Sequence, residues 1–179
     1  RLSGVTGYMA IQDTSSLSTE ILSDLGEIPS VAFYEAAVAE YITGYMEGIG
    51  LSVQKDKYGN IITNQRGGDS SLPAIAFVAH MDHPGFEAFK ANGKDIVARA
   101  LGGVPQSCFS ARIPVQIVAP DGQMVSAKTC GRYGPEGDRT VSLEIEYPFV
   151  YDLPCAVVFD LPGFYSDGKL VHMRALDDL

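Results

Sequence analysis

Ala74-Ile75-Ala76-Phe77-Val78-Ala79-His80-Met81-Asp82 is the stretch on which the fold turns. Six apolar residues in a row, bounded by Pro73 and His80, predict a strand buried on both faces of a central sheet. In open α/β sheets ligands gather where strands end, and the run delivers His80 and Asp82 to such an end. At i and i+2 of extended chain the two side chains point to one side, about 6.5–7 Å apart. An imidazole there can bind a metal ion, and Asp82 can orient or polarise it.

Upstream of this run the pattern is helical. Ser18 to Leu25 reads as a first helix, with Ser18 as cap, Glu20 in the first turn and Gly26 as stop. A second helix is expected after Ser30 as cap. Phe33, Ala36, Ala37, Tyr41, Tyr45 and Met46 share one face, which reads as core packing. From Leu51 the period shortens, and Leu51, Val53 and Ile61-Ile62-Thr63 around Tyr58-Gly59-Asn60 predict a hairpin.

Downstream, from Phe86 to about Tyr165, the texture is all β. Asp95–Ala100, Arg112–Val118, Met124–Cys130, Thr140–Ile145 and Ala156–Asp160 are short strand-like segments. Pro120-Asp121-Gly122 and Gly134-Pro135-Glu136-Gly137 separate them as turns. Strands at this spacing without helices between them predict a small barrel or sandwich. Ser166-Asp167-Gly168 then leads into Lys169–Leu176, expected to return to the sheet that holds Ala74–Ala79 and ending at Asp177-Asp178. The simplest organisation is a helix-plus-sheet, α/β domain interrupted by a β insert. Its first segment is 1–85, the insert is 86–165, and 166–179 belongs again to the first domain.

Adjacent carboxylates closing an apolar-rich segment repel one another unless a cation lies between them. Imidazole at one strand end and carboxylate at another are a donor set for zinc, cobalt or manganese. His83 and His172 are weaker candidates for a third ligand. A net charge of -9 with no Lys/Arg cluster argues against nucleic acid as a partner. No apolar run approaches the roughly 20 residues needed to span a bilayer, so no membrane segment is expected. Cys108, Cys130 and Cys155 are unevenly spaced and lack a C-x-x-C pair, which fits small buried thiols in a reducing compartment.

Five segments occur in the order found in one family: Leu22-Ser23-Asp24-Leu25-Gly26-Glu27-Ile28-Pro29-Ser30, Tyr34-Glu35, Asp56-Lys57-Tyr58-Gly59-Asn60-Ile61-Ile62, Ala79 to Phe86, and Arg174-Ala175-Leu176-Asp177-Asp178. The chain thereby resembles the glutamyl and tetrahedral aminopeptidases, cytosolic peptidases with two co-catalytic metal ions. The 94 residues between Asp82 and Asp177 suit the family in which a β domain separates the two motifs. The resemblance implies a split zinc-peptidase domain with an inserted, small barrel-like domain. It implies two divalent metal ions, zinc first and cobalt or manganese as alternatives. His80 would bind one ion, Asp177 would bridge both, and Asp82 would support catalysis beside His80. Asp178 would follow the bridge across an unusual peptide bond.

By the same resemblance the substrates are peptides with free amino termini, the compartment is the cytoplasm, and the insert helps build homo-oligomers. The general base and remaining ligands fall after Leu179 in the family, so the 179 residues alone are expected to be inactive. The pattern departs from the family where His83 replaces an acidic residue, where Leu179 replaces a basic one, and where Ala32-Phe33 replaces Ser-Gly. A rival expectation is a catalytically inactive scaffold whose β insert binds peptides or a partner. Residues after Leu179 with a Glu-Glu pair and a later histidine would favour the enzyme.

Overall fold

In the computed structural model, residues 14–65, 71–110, 112–161, 165–166 and 171–172 are described. Two helices open the described chain, α1 (Thr14–Glu27) and α2 (Ala36–Gly48). Between them Ser30 is buried but caps nothing, because α2 starts only at Ala36. The sequence reading started this helix too early. Phe33 lies before it, at φ +75°, with its ring 82% exposed. A bulky side chain rarely takes this left-handed conformation, which glycine adopts freely. On α2 the buried residues are Val38 and Ala39, while Ala36 and Ala37 are exposed.

The hairpin forms as expected from β1 (Val53–Lys55) and β2 (Ile61–Thr63), paired antiparallel, and α2 packs against it. Asp56 organises its turn. One carboxylate oxygen accepts the N–H groups of Tyr58 and Asn60, and the other accepts from the Asn60 amide. These bonds, that from Asn60 foremost, hold the Asp56 carboxyl below its usual range. Gly59 supplies the positive φ that the turn needs.

Six strands then close a barrel: β3 (Gly85–Asn92), β4 (Asp95–Leu101), β5 (Pro114–Val118), β6 (Met124–Arg132), β7 (Thr140–Ile145) and β8 (Cys155–Phe159). Their order is β3-β4-β7-β6-β5-β8, and every pair is antiparallel. The strand β8 closes the ring: Val157 pairs with Phe86 on one side and with Ile117 on the other. Closure removes the free edges that a sheet of this size would otherwise expose.

Alternation decides what lies inside. Phe86 and Ala88, Ile96 and Ala98, Val115 and Ile117, and Val141, Leu143 and Ile145 fill the interior at period two. A short turn of 3₁₀ helix, Gln106–Phe109, adds Phe109 to that core, its ring edge-on to Phe86 at 5.9 Å. Thr129 is the fully buried polar exception, and its hydroxyl accepts the Ile113 N–H at 2.9 Å. Cys108 and Cys155 are buried as expected. Cys130 is exposed, on a stretch where the ladder slips between Thr129 and Gly131.

The Ala74–Ala79 run contradicts the sequence reading. Residues 73–82 form no strand, and Ile75, Phe77 and Val78 stand in solvent, Phe77 at 95% exposure. A strand apolar on both faces needs neighbours on both edges and cover on both sides. Among the described residues its end meets only one bridge, the parallel pairing of Val31 with His83. The described part of the expected return segment, Val171–His172 (β10), pairs antiparallel with Tyr165–Ser166 (β9) and not with the run.

Candidate functional site

His80 and Asp82 meet in a segment that forms no strand, and through the Asp82 main chain, not side by side along an extended strand. The His80 Nδ1 lies 2.9 Å from the Asp82 carbonyl oxygen and 3.6 Å from its carboxylate Oδ1. A carbonyl can only accept, so Nδ1 donates in this bond, and in the neutral ring the lone pair then sits on Nε2. This is the arrangement of a metal-binding histidine, with one ring nitrogen tied to an oxygen so that the other can coordinate. The His80 side chain is 63% exposed, so an ion can reach it.

Three contacts hold this turn. The Ser30 hydroxyl donates to the Met81 carbonyl at 2.7 Å. The His83 N–H donates to the Ser30 carbonyl at 3.3 Å. Val31 is fully buried against Gly85, where an added Cβ would meet Val31 Cγ1 at 2.4 Å and the Val157 carbonyl at 2.6 Å. Only glycine lets these backbones approach so closely.

Next to this segment the sequence reading missed a buried carboxylate. Glu87, on β3, accepts the Tyr34 hydroxyl at 3.0 Å and Arg99 Nε at 2.7 Å, and Arg99 Nη2 also bonds it. Glu87 and Arg99 are directly opposite each other on β3 and β4, a pairing visible only once the register is known. Burial, and then the bond to Glu87, push the Tyr34 hydroxyl up to about 12. The network ties the chain between the helices to the barrel.

The remaining site candidates divide differently. Asp177 and Asp178 lie outside the described residues, so their approach to His80 and the peptide bond joining them do too. His83 is the residue that bridges to Val31, and His172 lies on β10. Among the described residues no group of three His, Cys, Asp or Glu side chains could hold a metal ion. Of the donor set expected for two metals, the described residues therefore supply His80 with its Asp82 partner. Their chemistry fits a metal, and the set is not complete within them.

A cleft among these residues lies elsewhere. It is an open groove of about 470 Å³ between α1 and α2, lined by Leu17, Ile21, Tyr41 and Tyr45 with Glu20, Asp24 and Glu40. Neither His80 nor Asp82 lines it, and the geometry at His80 is the better guide to chemistry. No described helix is long and apolar enough to cross a membrane.

No protein-family model matches the chain, and no curated protein matches it. Solved structures do. The TET1 peptidase of Pyrococcus horikoshii, which assembles into a tetrahedron or a large octahedral shell, superposes with a TM-score of 0.69 at 24% identity. The match covers 89% of this chain and 51% of that one. The aminopeptidase APDkam598 of the archaeon Desulfurococcus kamchatkensis gives 0.69 at 16% identity, covering 87% of this chain and 46% of that. A Thermotoga maritima protein described as an endoglucanase gives 0.62 at 22% identity, covering 82% and 46%. The chain spans about half the length of the structures it matches. At these identities the likeness establishes the fold, which is that of tetrahedral aminopeptidases, the family the sequence resembles.

Proposed function

We propose that this chain is the N-terminal portion of a metal-dependent aminopeptidase that removes residues from the free amino termini of peptides. The observation that carries the reading is His80, held through Nδ1 by Asp82 at the end of an apolar run, in a fold shared with tetrahedral aminopeptidases. In this reading residues 1–85 and 166–179 belong to one catalytic domain, and 86–165 form the insert.

His80 would hold one divalent ion through Nε2, and Asp177 would bridge it to a second. Zinc suits an imidazole and carboxylate set, with cobalt and manganese as alternatives. Bound metal would supply an acidified water and positive charge for the oxyanion that develops at the scissile carbonyl. The chain's own part is to fix the imidazole. The Asp82 main-chain carbonyl accepts the Nδ1–H and so leaves the Nε2 lone pair for the ion, with the Asp82 carboxylate 3.6 Å from the ring. Barrel-mediated assembly into homo-oligomers in the cytoplasm belongs to the same proposal, supported by the shells of the Pyrococcus protein.

Zinc binding by the 179-residue chain, measured by equilibrium dialysis, tests the reading before any turnover is sought. Weak binding is expected, and it should vanish in His80→Ala. Binding that is indifferent to His80 would contradict the assignment. One neighbour is described as an endoglucanase, and release of reducing ends from a β-glucan without peptide cleavage would favour that reaction instead. A glycosidase of the usual kind needs two carboxyl groups flanking the bond, whereas the residue singled out here is an imidazole.

A further inference from the structure

We infer that Ser30 is a positioning residue for His80: its hydroxyl, acting on the Met81 carbonyl, holds Asp82 where it can fix the imidazole. The inference rests on His80 being the metal ligand proposed above. Serine before a helix is ordinarily a cap, but α2 begins at Ala36 and leaves this hydroxyl no capping role. It is spent instead on a carbonyl 51 positions away in sequence, at 2.7 Å, from a nearly fully buried site.

The place of that carbonyl matters. Met81 stands between His80 and Asp82, and its C=O belongs to the peptide plane that carries the Asp82 nitrogen. Fixing the carbonyl therefore fixes the direction in which Asp82 leaves the chain. On the other side of Asp82, the His83 N–H is bonded to the Ser30 carbonyl and Val31 pairs with His83. Asp82 is thus gripped on both flanks by two consecutive residues. Those residues are immobilised in turn. Val31 is locked against Gly85 at the start of β3, and Tyr34 is bonded to Glu87 two residues further on. The rigidity of the closed barrel reaches the imidazole through this short segment.

A merely structural Ser30 would satisfy a buried carbonyl and do no more. The two roles separate in the tautomer of His80, read by long-range proton–nitrogen NMR correlation on the metal-free, nitrogen-15-labelled 179-residue chain. The wild type is expected to show the Nδ1–H form. Ser30→Ala should shift it to a mixture of forms and lower zinc affinity, by no more than the roughly 10–100-fold that loss of a ligand's direct hydrogen-bond partner costs. If Ser30→Ala does not fold, Ser30→Cys, close in volume with a weaker donor, must move the same signals in the same direction. Unchanged tautomer populations in the folded variant overturn the inference, even where its unfolding midpoint falls. If the tautomer shifts but zinc binds neither protein, the clamp stands and the metal assignment fails. If zinc binds through His80 but the tautomer ignores Ser30, the metal assignment stands and the clamp fails.

Discussion

Val157 and Phe77 are both apolar residues from short, strand-like runs, and they meet opposite fates. Val157 is fully buried, with Phe86 paired on one side and Ile117 on the other, whereas Phe77 is 95% exposed in a segment that joins no ladder. Both are apolar, but only Val157 has partners on both sides. A run becomes a strand when its edges find neighbours. The barrel carries all of its neighbours within 75 consecutive residues, from Gly85 to Phe159.

The largest expected effect sets the two regions against each other. Phe86→Ala removes a ring that touches Phe109 at 5.9 Å and Phe159 at 5.5 Å, and should cost about 3–5 kcal/mol in urea unfolding. Phe77→Ala should stay within about 0.5 kcal/mol in the same chain, because nothing covers that ring. Equal losses would break the contrast.

A second pair tests the junction. Gly85→Ala forces a methyl against Val31 and the Val157 carbonyl and should cost about 1–3 kcal/mol. Gly44→Ala on α2, where a methyl meets nothing within 4 Å, should instead stabilise by roughly 0.5–1 kcal/mol. Denaturant midpoints of the two variants should therefore move in opposite directions.

Between the α1–α2 connection and the barrel, Tyr34 makes stability depend on pH. Its hydroxyl is raised from an ordinary 10 to about 12, so the folded state holds that proton more tightly than the unfolded chain. Its contribution is fully present below pH 10 and is lost as pH climbs from 10 through 12. The urea midpoint should fall in that window, and Tyr34→Phe should flatten the fall. Tyr41, raised in the same direction by burial and by its bond to Asp24, needs Tyr41→Phe as the companion measurement.

The smallest effect concerns Phe33. A left-handed non-glycine residue costs about 1–2 kcal/mol, part of which glycine returns as chain entropy. Phe33→Gly should therefore raise stability by about 0.5–1 kcal/mol, since the exposed ring loses little packing. A drop in the unfolding midpoint would mean that the ring has a contact worth more than the strain.

Turn chemistry made the barrel legible. Pro120-Asp121-Gly122 and Gly134 mark its reversals, and alternation in Val115–Ile117 and Val141–Ile145 marks its inner face; both are local signals. That His80 and Asp82 lie near each other needed no distant partner to read. The bond from Nδ1 to the Asp82 main-chain carbonyl was not legible, because the strand expected to present the pair does not form. What else the sequence hid is non-local. Ser30 looked like a cap because its bond to Met81 spans half a hundred residues, and Glu87 looked like one more surface acid until β4 brought Arg99 opposite. The run at Ala74–Ala79 was misread because its pattern states a need for neighbours without showing whether the described chain provides them.

The proposed chemistry requires a metal ion acting at His80. The direct measurement is release of the N-terminal residue from an unblocked peptide, by the chain and by any longer protein that carries it, stripped with chelator and reloaded with zinc, cobalt or manganese. The prediction is that the 179 residues alone turn over nothing. The longer protein should lose activity with chelator, regain it with metal, lose it again in His80→Ala, and spare N-acetylated peptide. Peptide cleavage that survives both chelator and His80→Ala would contradict the account.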